Sequence, residues 1–249
     1  MSKDSLGDRM KNTYEDAYRF HLSGRLPVIL RIDGCHFHSY TRGCEKPFDK
    51  NLTHVMNETA KALCNAIQGA KIAYVQSDEI SILLNSYESL NSESWFSNNI
   101  QKMVSVSAGI ASATFTSLSD QIFGKTKIAT FDSRAFILPK EEVNNYFIWR
   151  QQDCSRNSIQ MLARSLFSQN ECFKKNSMQL RQRCIESNRP WEDMPTSQRL
   201  GRCIFKNQRS EVFVNKKTNT SAPVTRSFWD VDLEIPNFHE SPDYIQKLI

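Results

Sequence analysis

No apolar run in this chain approaches the roughly 20 residues that a membrane-spanning helix needs. That absence predicts no membrane-spanning helix and no membrane partner. The opening residues, Met1-Ser-Lys-Asp-Ser-Leu6, lack the apolar centre of a secretory signal. Seven cysteines (35, 44, 64, 154, 172, 184 and 203) are odd in number and form no C-x-x-C pair. This argues against a disulfide framework and predicts reduced thiols in a cytoplasmic compartment. Internal repeats and low-complexity tracts are missing too, which removes solenoids and long disordered linkers. What is left is ordinary globular composition, 39% hydrophobic and 24% charged over 249 residues. A chain of this size suits one large domain or two closely packed lobes.

The net charge of +5 matters less than its placement. Between Lys174 and Lys217 stand eleven Lys or Arg against four acids, so this segment carries +7 and the rest is slightly acidic. A solvated basic face is one explanation; a polyanion held beside a carboxylate-bearing lobe is the other.

Helical spacing of Leu6, Met10, Tyr14, Ala17 and Phe20 predicts a first helix over 4–20. Val28–Ile32 predicts a strand, and Asp49 caps a helix with the stripe Leu52, Val55, Met56, Thr59, Leu63 and Ile67. A hairpin of strands follows at 71–76 and 79–84. Ser94 is placed to cap a long helix carrying Phe96, Ile100, Met103, Ala111, Phe115 and Leu118. A strand at 128–138, helix over 141–169, and strands at 201–206 and 211–215 complete the pattern. The fold class is α+β. Its order β-α-β-β-α-β predicts a ferredoxin-like, polymerase-palm core with a mixed sheet and two helices on one face. A helical and β-hairpin fingers-type lobe accompanies it. The expected division is a catalytic lobe over 1–139, a basic lobe over 140–235 and a tail over 236–249.

Two acidic motifs sit where strands stop. The first strand runs into Asp33-Gly34, and the second into Gln76-Ser77-Asp78-Glu79. Right-handed crossover places the end of strand 1 beside the turn after strand 2, so Asp33 and Asp78 converge. Hard cations of the magnesium type take oxygen ligands, and a carboxylate pair with phosphate oxygens suits two of them. Asp33, the Gly34 carbonyl and Asp78 are the candidate ligands. In extended backbone Glu79 points away from Asp78, which makes it the weaker candidate. Either motif alone is equally good turn chemistry. Cys35, His36, His38 and Cys44 hint at zinc, but no four-ligand spacing completes such a site.

Four segments together resemble the tRNA(His) guanylyltransferase family: R-I-D-G-x-x-F-H at 31–38, K-P-x-D at 46–49, Q-S-D-E at 76–79 and W-R-Q-x-D-C at 149–154. Phe131-Asp-Ser-Arg134 and Asn188…Pro195…Arg199-x-Gly201 are similar to two further family elements. The resemblance implies a palm run in the 3′-to-5′ direction, with two Mg²⁺ ions per site at Asp33, Gly34 and Asp78 and Glu79 in support. It implies ATP, GTP and other NTPs as substrates, tRNA as partner and a homotetramer. Nucleotide contacts would come from Arg31, Cys35, His36, Phe37, His38, Lys46, Asp49, Ser77 and Lys102. RNA contacts are expected from Arg134, Arg156, Asn157, Asn188 and Arg199, with Trp191 either stacking on a base or buried.

Two departures qualify the resemblance. Asn99 stands where the family places an arginine one turn before Lys102. Ser155 replaces the histidine of D-C-H-x-N, which resembles the "-like" branch that extends truncated 5′ ends by base pairing. Templated repair is therefore expected over addition of a single G. A purine nucleotide cyclase and a non-catalytic RNA-binding module remain as the alternatives.

Overall fold

The fold is that of a computed structural model, which describes residues 5–124, 127–215 and 220–249. Residue 4 of the predicted first helix, and Lys216 and Lys217 of the basic segment, lie outside the described residues. Helices in chain order are α1 (Ser5–Met10), α2 (Phe37–Tyr40), α3 (Lys50–Ala66), α4 (Ile100–Phe123), α5 (Lys140–Leu166), α6 (Gln169–Cys172), α7 (Ser177–Glu186), α8 (Thr196–Arg199) and α9 (Asp243–Gln246). Strands are β1 (Val28–Gly34), β2 (Ala70–Gln76), β3 (Glu79–Leu84), β4 (Phe131–Ile137), β5 (Arg202–Asn215) and β6 (Thr220–Asp232).

All six strands form one sheet in the order β4-β1-β3-β2-β5-β6. The α+β class and the order of its first elements follow the sequence pattern. The sheet is not mixed, however. Every hydrogen-bonded pair is antiparallel, because β3 inserts between β1 and β2, which point the same way but do not touch. Asp33 and Glu79 face each other across β1 and β3.

Both faces of the central strands are covered, which explains why β3 is buried along its whole length and shows no polar alternation. On one face Leu30, Ile32, Val75, Ile80 and Ile82 meet Val55, Met56 and Leu63 of α3 and Met103, Ala111 and Phe115 of α4. On the other, Ile29, Ile72, Tyr74 and Leu83 meet Val143 and Phe147 of α5 and Phe238 and Ile245 of the tail. The prediction of two helices on one face is correct but incomplete, since α5 adds a third layer.

Local chemistry sets the boundaries. Asp49 caps α3, its carboxylate accepting from the Asn51 and Leu52 amides. The long helix α4 is capped by Asn99, which accepts from the Lys102 amide, and not by Ser94. Asn99 thus has a local role where an arginine was expected. The predicted first helix breaks into α1, a π-turn (Lys11–Glu15) and a 3₁₀ turn (Asp16–Tyr18), none with a buried residue. Two short strands were expected near 201–215; instead β5 is continuous and pairs with β6, which periodicity did not show. Among the described residues no helix is long and apolar enough to cross a membrane.

Candidate active site

The turn joining β2 to β3 is only two residues, Ser77 and Asp78. Ser77 adopts φ 45° there, a left-handed conformation costly for a residue with a side chain. This tight turn lays Asp78 beside the end of β1, where its carbonyl accepts the Gly34 amide at 3.1 Å. Asp33 is pushed up to about 6 by burial and by the neighbouring carboxylates of Asp78, Glu79 and Asp132. Asp78 is raised as well, chiefly by burial. No arginine or lysine forms an ion pair with either among the described residues. Two crowded, partly buried carboxylates, relieved only by the field of Arg31 and by no ion pair, fit a divalent cation, with phosphate oxygens completing its shell. Nowhere among the described residues do three His, Cys, Asp or Glu side chains gather as a metal cluster. Cys35, His36, His38 and Cys44 accordingly form no zinc site.

Glu79 is not free to support the ions. Both of its oxygens are held by Arg150 of α5, at 2.8 and 2.9 Å, in a buried pair. Arg150 also donates to Asp153 at 2.7 Å, and Arg156 closes on the other Asp153 oxygen at 2.8 Å. Burial alone would raise Asp153, but these two guanidiniums outweigh it and hold the carboxyl below its ordinary range. Trp149 packs over Arg150, with the Arg31 guanidinium 5.9 Å from its ring centre. Arg31 makes no ion pair with Asp33, and its buried Nε has no hydrogen-bond partner.

The segment W-R-Q-x-D-C is thus a brace behind the carboxylates. Gln151 adds to it by binding the Pro236 carbonyl and the Phe238 amide. From this brace one stripe of α5 (Arg150, Asp153, Asn157, Gln160, Arg164) faces the cleft of Asp33 and Asp78. Apart from Asn157, these residues were absent from the predicted site. Their 3-and-4 spacing was the available signal, but only the sheet shows which face of the helix matters.

Next to this acidic cleft, His36, His38, Lys46, Ser77, Asp78 and Arg164 line a second hollow. A third holds Lys46, Asp49, Ser77, Asn157 and Arg202. Ser77 borders all three. The predicted Arg31, Asp33, Gly34, His36, His38, Lys46, Asp49, Ser77 and Asp78 are therefore brought together, with Cys35 beside them, its thiol 3.9 Å from Asp132.

Several expected contacts are placed elsewhere. Phe37 is buried, its ring packed on Phe115 and Phe131. That ring also explains Gly34: a Cβ there would stand 2.3 Å from it, so the missing side chain makes room for Phe37. Lys102 lies in the first turns of α4, which start beside Phe20. There its ammonium lies over the Phe96 ring, 5.8 Å from the centroid, and it borders none of the three hollows around Ser77.

Arg199 is engaged structurally, its Nε donating to the Met194 carbonyl and its guanidinium lying over Trp191. Trp191 is core, with its indole N–H on Ser158. Asn188 takes a left-handed φ of 55° just after α7, a position asparagine tolerates. Arg134 pairs with Asp132 on the edge strand, while Arg156 and Asn157 stay exposed along α5. Ser155 points away from the carboxylates, donating to the carbonyls of Gln151 and Arg199.

An antiparallel α+β sheet with an acidic cleft at its strand ends defines the class of molecule, and comparison names the family. The family model described as tRNAHis guanylyltransferase, Thg1, matches residues 7–139, so the chain belongs to this family of nucleotidyltransferases. A bacterial Thg1-like protein solved in complex with ATP is 45% identical over 98% of this chain and 99% of its own, with a TM-score of 0.88. A bacterial Thg1-like protein in complex with GTP is 44% identical over the same shares, with a TM-score of 0.79. The tRNA(His) guanylyltransferase 1 of Arabidopsis thaliana is 28% identical over 85% of this chain, which spans 41% of that protein's length.

Proposed function

We propose that this protein is a palm-type 3′-to-5′ nucleotidyltransferase that extends truncated tRNA 5′ ends, directed by the opposite strand, after ATP or GTP activates the 5′ phosphate. The observation that carries this reading is the cleft in which Asp33 and Asp78, neither of them ion-paired among the described residues, face the polar stripe of α5 that ends in Arg164. Asp33, Asp78 and the Gly34 carbonyl would hold Mg²⁺, which when bound lowers the cost of ionising an attacking hydroxyl and neutralises phosphate charge. The chain's own residues align and neutralise. Lys46 and Arg164 carry charge for phosphate oxygens. Ser77 offers its hydroxyl at the turn, and His38 and Asp49 border the two adjoining hollows, where a base and sugar fit. Arg31 brings a guanidinium with an unused donor. Glu79 acts indirectly, fixing Arg150.

The ATP- and GTP-bound bacterial relatives support nucleotide use at this site. The division of labour is nucleotide chemistry over 1–139 and RNA binding over 140–235. Assembly into a homotetramer accords with the exposed apolar residues Leu6, Met10, Tyr14, Tyr18 and Phe20, which nothing among the described residues covers. Ser155, in place of the histidine of single-G enzymes, favours templated repair. A cyclase would leave the basic segment from Lys174 to Lys217 without a purpose.

The test is extension of a 5′-truncated, 5′-phosphorylated tRNA with Mg²⁺, ATP and all four NTPs. The added base should follow changes made in the opposite strand. Extension that ignores that base supports single-G addition, and a cyclic nucleotide formed from NTP alone supports the cyclase.

A further inference from the structure

Beyond the acidic cleft and the two hollows beside it, α5 leads to a further concavity. It is bordered by Gln160 and Arg164 of α5, by Phe167, Phe173, Lys174 and Lys175, and by residues of α6 and α7. Gln160 and Arg164 also border the acidic cleft, so the two spaces are neighbours along α5. Three cations and no carboxylate line this one. Among the described residues none of Arg164, Lys174 and Lys175 is ion-paired, whereas Arg183 nearby is committed to Glu171. Phe173 is 67% exposed, so its ring is open to solvent. The Lys174 ammonium lies 5.4 Å from its centroid. An open aromatic ring among unpaired cations is the chemistry that stacks a nucleobase and holds its phosphates.

We propose that this concavity, formed by Gln160, Arg164, Phe167, Phe173, Lys174 and Lys175, docks the single-stranded 3′ end of the RNA whose 5′ end lies in the acidic cleft. The inference rests on the function proposed above. If the 5′ phosphate sits at Asp33, the paired stem brings the 3′ strand to the same end of the molecule. Bases inside the stem are stacked on one another and offer no face to Phe173. Only the unpaired 3′ overhang does.

The test compares two 5′-phosphorylated stems, identical except that one carries a single-stranded 3′ tail and the other is blunt. Binding is followed by fluorescence anisotropy and extension by gel. Wild-type protein should bind the tailed stem more tightly. Phe173→Ala should weaken tailed binding about tenfold and leave the blunt stem unchanged. Lys174→Ala with Lys175→Ala should reduce the salt slope for the tailed stem by about 1.4, two phosphates' worth. Both variants alter exposed residues, and their melting temperatures should match wild type. Equal affinity of wild-type protein for the two stems, or an equal loss on both in Phe173→Ala, overturns the proposal and leaves the ring to a protein partner. Wild-type protein that prefers the tail yet extends neither stem removes the catalytic reading and keeps the docking site.

Discussion

Asp33 carries the chemistry that the site depends on, and its environment yields two expectations. Asp33→Ala and Asp78→Ala should each lower single-turnover extension by at least about a hundredfold. Near-normal rates in either would remove that residue from the metal site. The second concerns pH. Asp33 is raised from the ordinary 3.8 to about 6, so the folded protein holds this proton more tightly than the unfolded chain. The contribution of Asp33 to the stability of the metal-free protein should therefore be lost as pH rises from about 4 to about 6, and Asp33→Asn should remove that component from the pH dependence seen in urea titrations. Above pH 6, added Mg²⁺ should raise the melting temperature of wild type but not of Asp33→Asn. The two aspartates were legible because a strand ending in a carboxylate is visible in one dimension. The settings of Glu79 and Phe37 were not, since the partner of each comes from a distant element, Arg150 in one case and Phe115 and Phe131 in the other.

At the scale of elements, α5 does what its sequence only marks as a signature. Its Arg150 ties the third layer to the sheet through Glu79. Glu79→Gln should destabilise the fold by about 3 kcal/mol, because it leaves a buried guanidinium short of its charge partner. Chemical unfolding measures this, and a loss below about 1 kcal/mol would show that Asp153 alone suffices. Gly201 illustrates another element-level demand. It has φ 86°, and a Cβ there would stand 2.7 Å from the Tyr74 ring, whose hydroxyl donates to the Leu200 carbonyl. The strands of the core were legible from their apolar runs and the α3 cap from Asp49. The hairpin β5–β6 was not, because much of its length is exposed and polar, and its order comes from cross-strand pairing that no local period reports.

For the molecule as a whole, the first turns present Leu6, Met10, Tyr14, Tyr18 and Phe20 to solvent. Helical periodicity detected that stripe but not what covers it. If another copy does, Leu6→Glu with Tyr14→Glu should shift the particle to a smaller mass in light scattering. A wild-type protein that is already monomeric would refute this. The chain by itself determined the ordered motifs, the α+β class, the paired aspartates at strand ends and the basic run that follows them, because each is carried by neighbours in sequence. Tertiary structure alone decided that β3 lies between β1 and β2, that Glu79 is held by Arg150, that Lys102 packs over Phe96, and that Arg164 opens onto three hollows. Those outcomes depend on which faces meet after the sheet closes, and a side chain's partner is set by that meeting and not by its position along the chain.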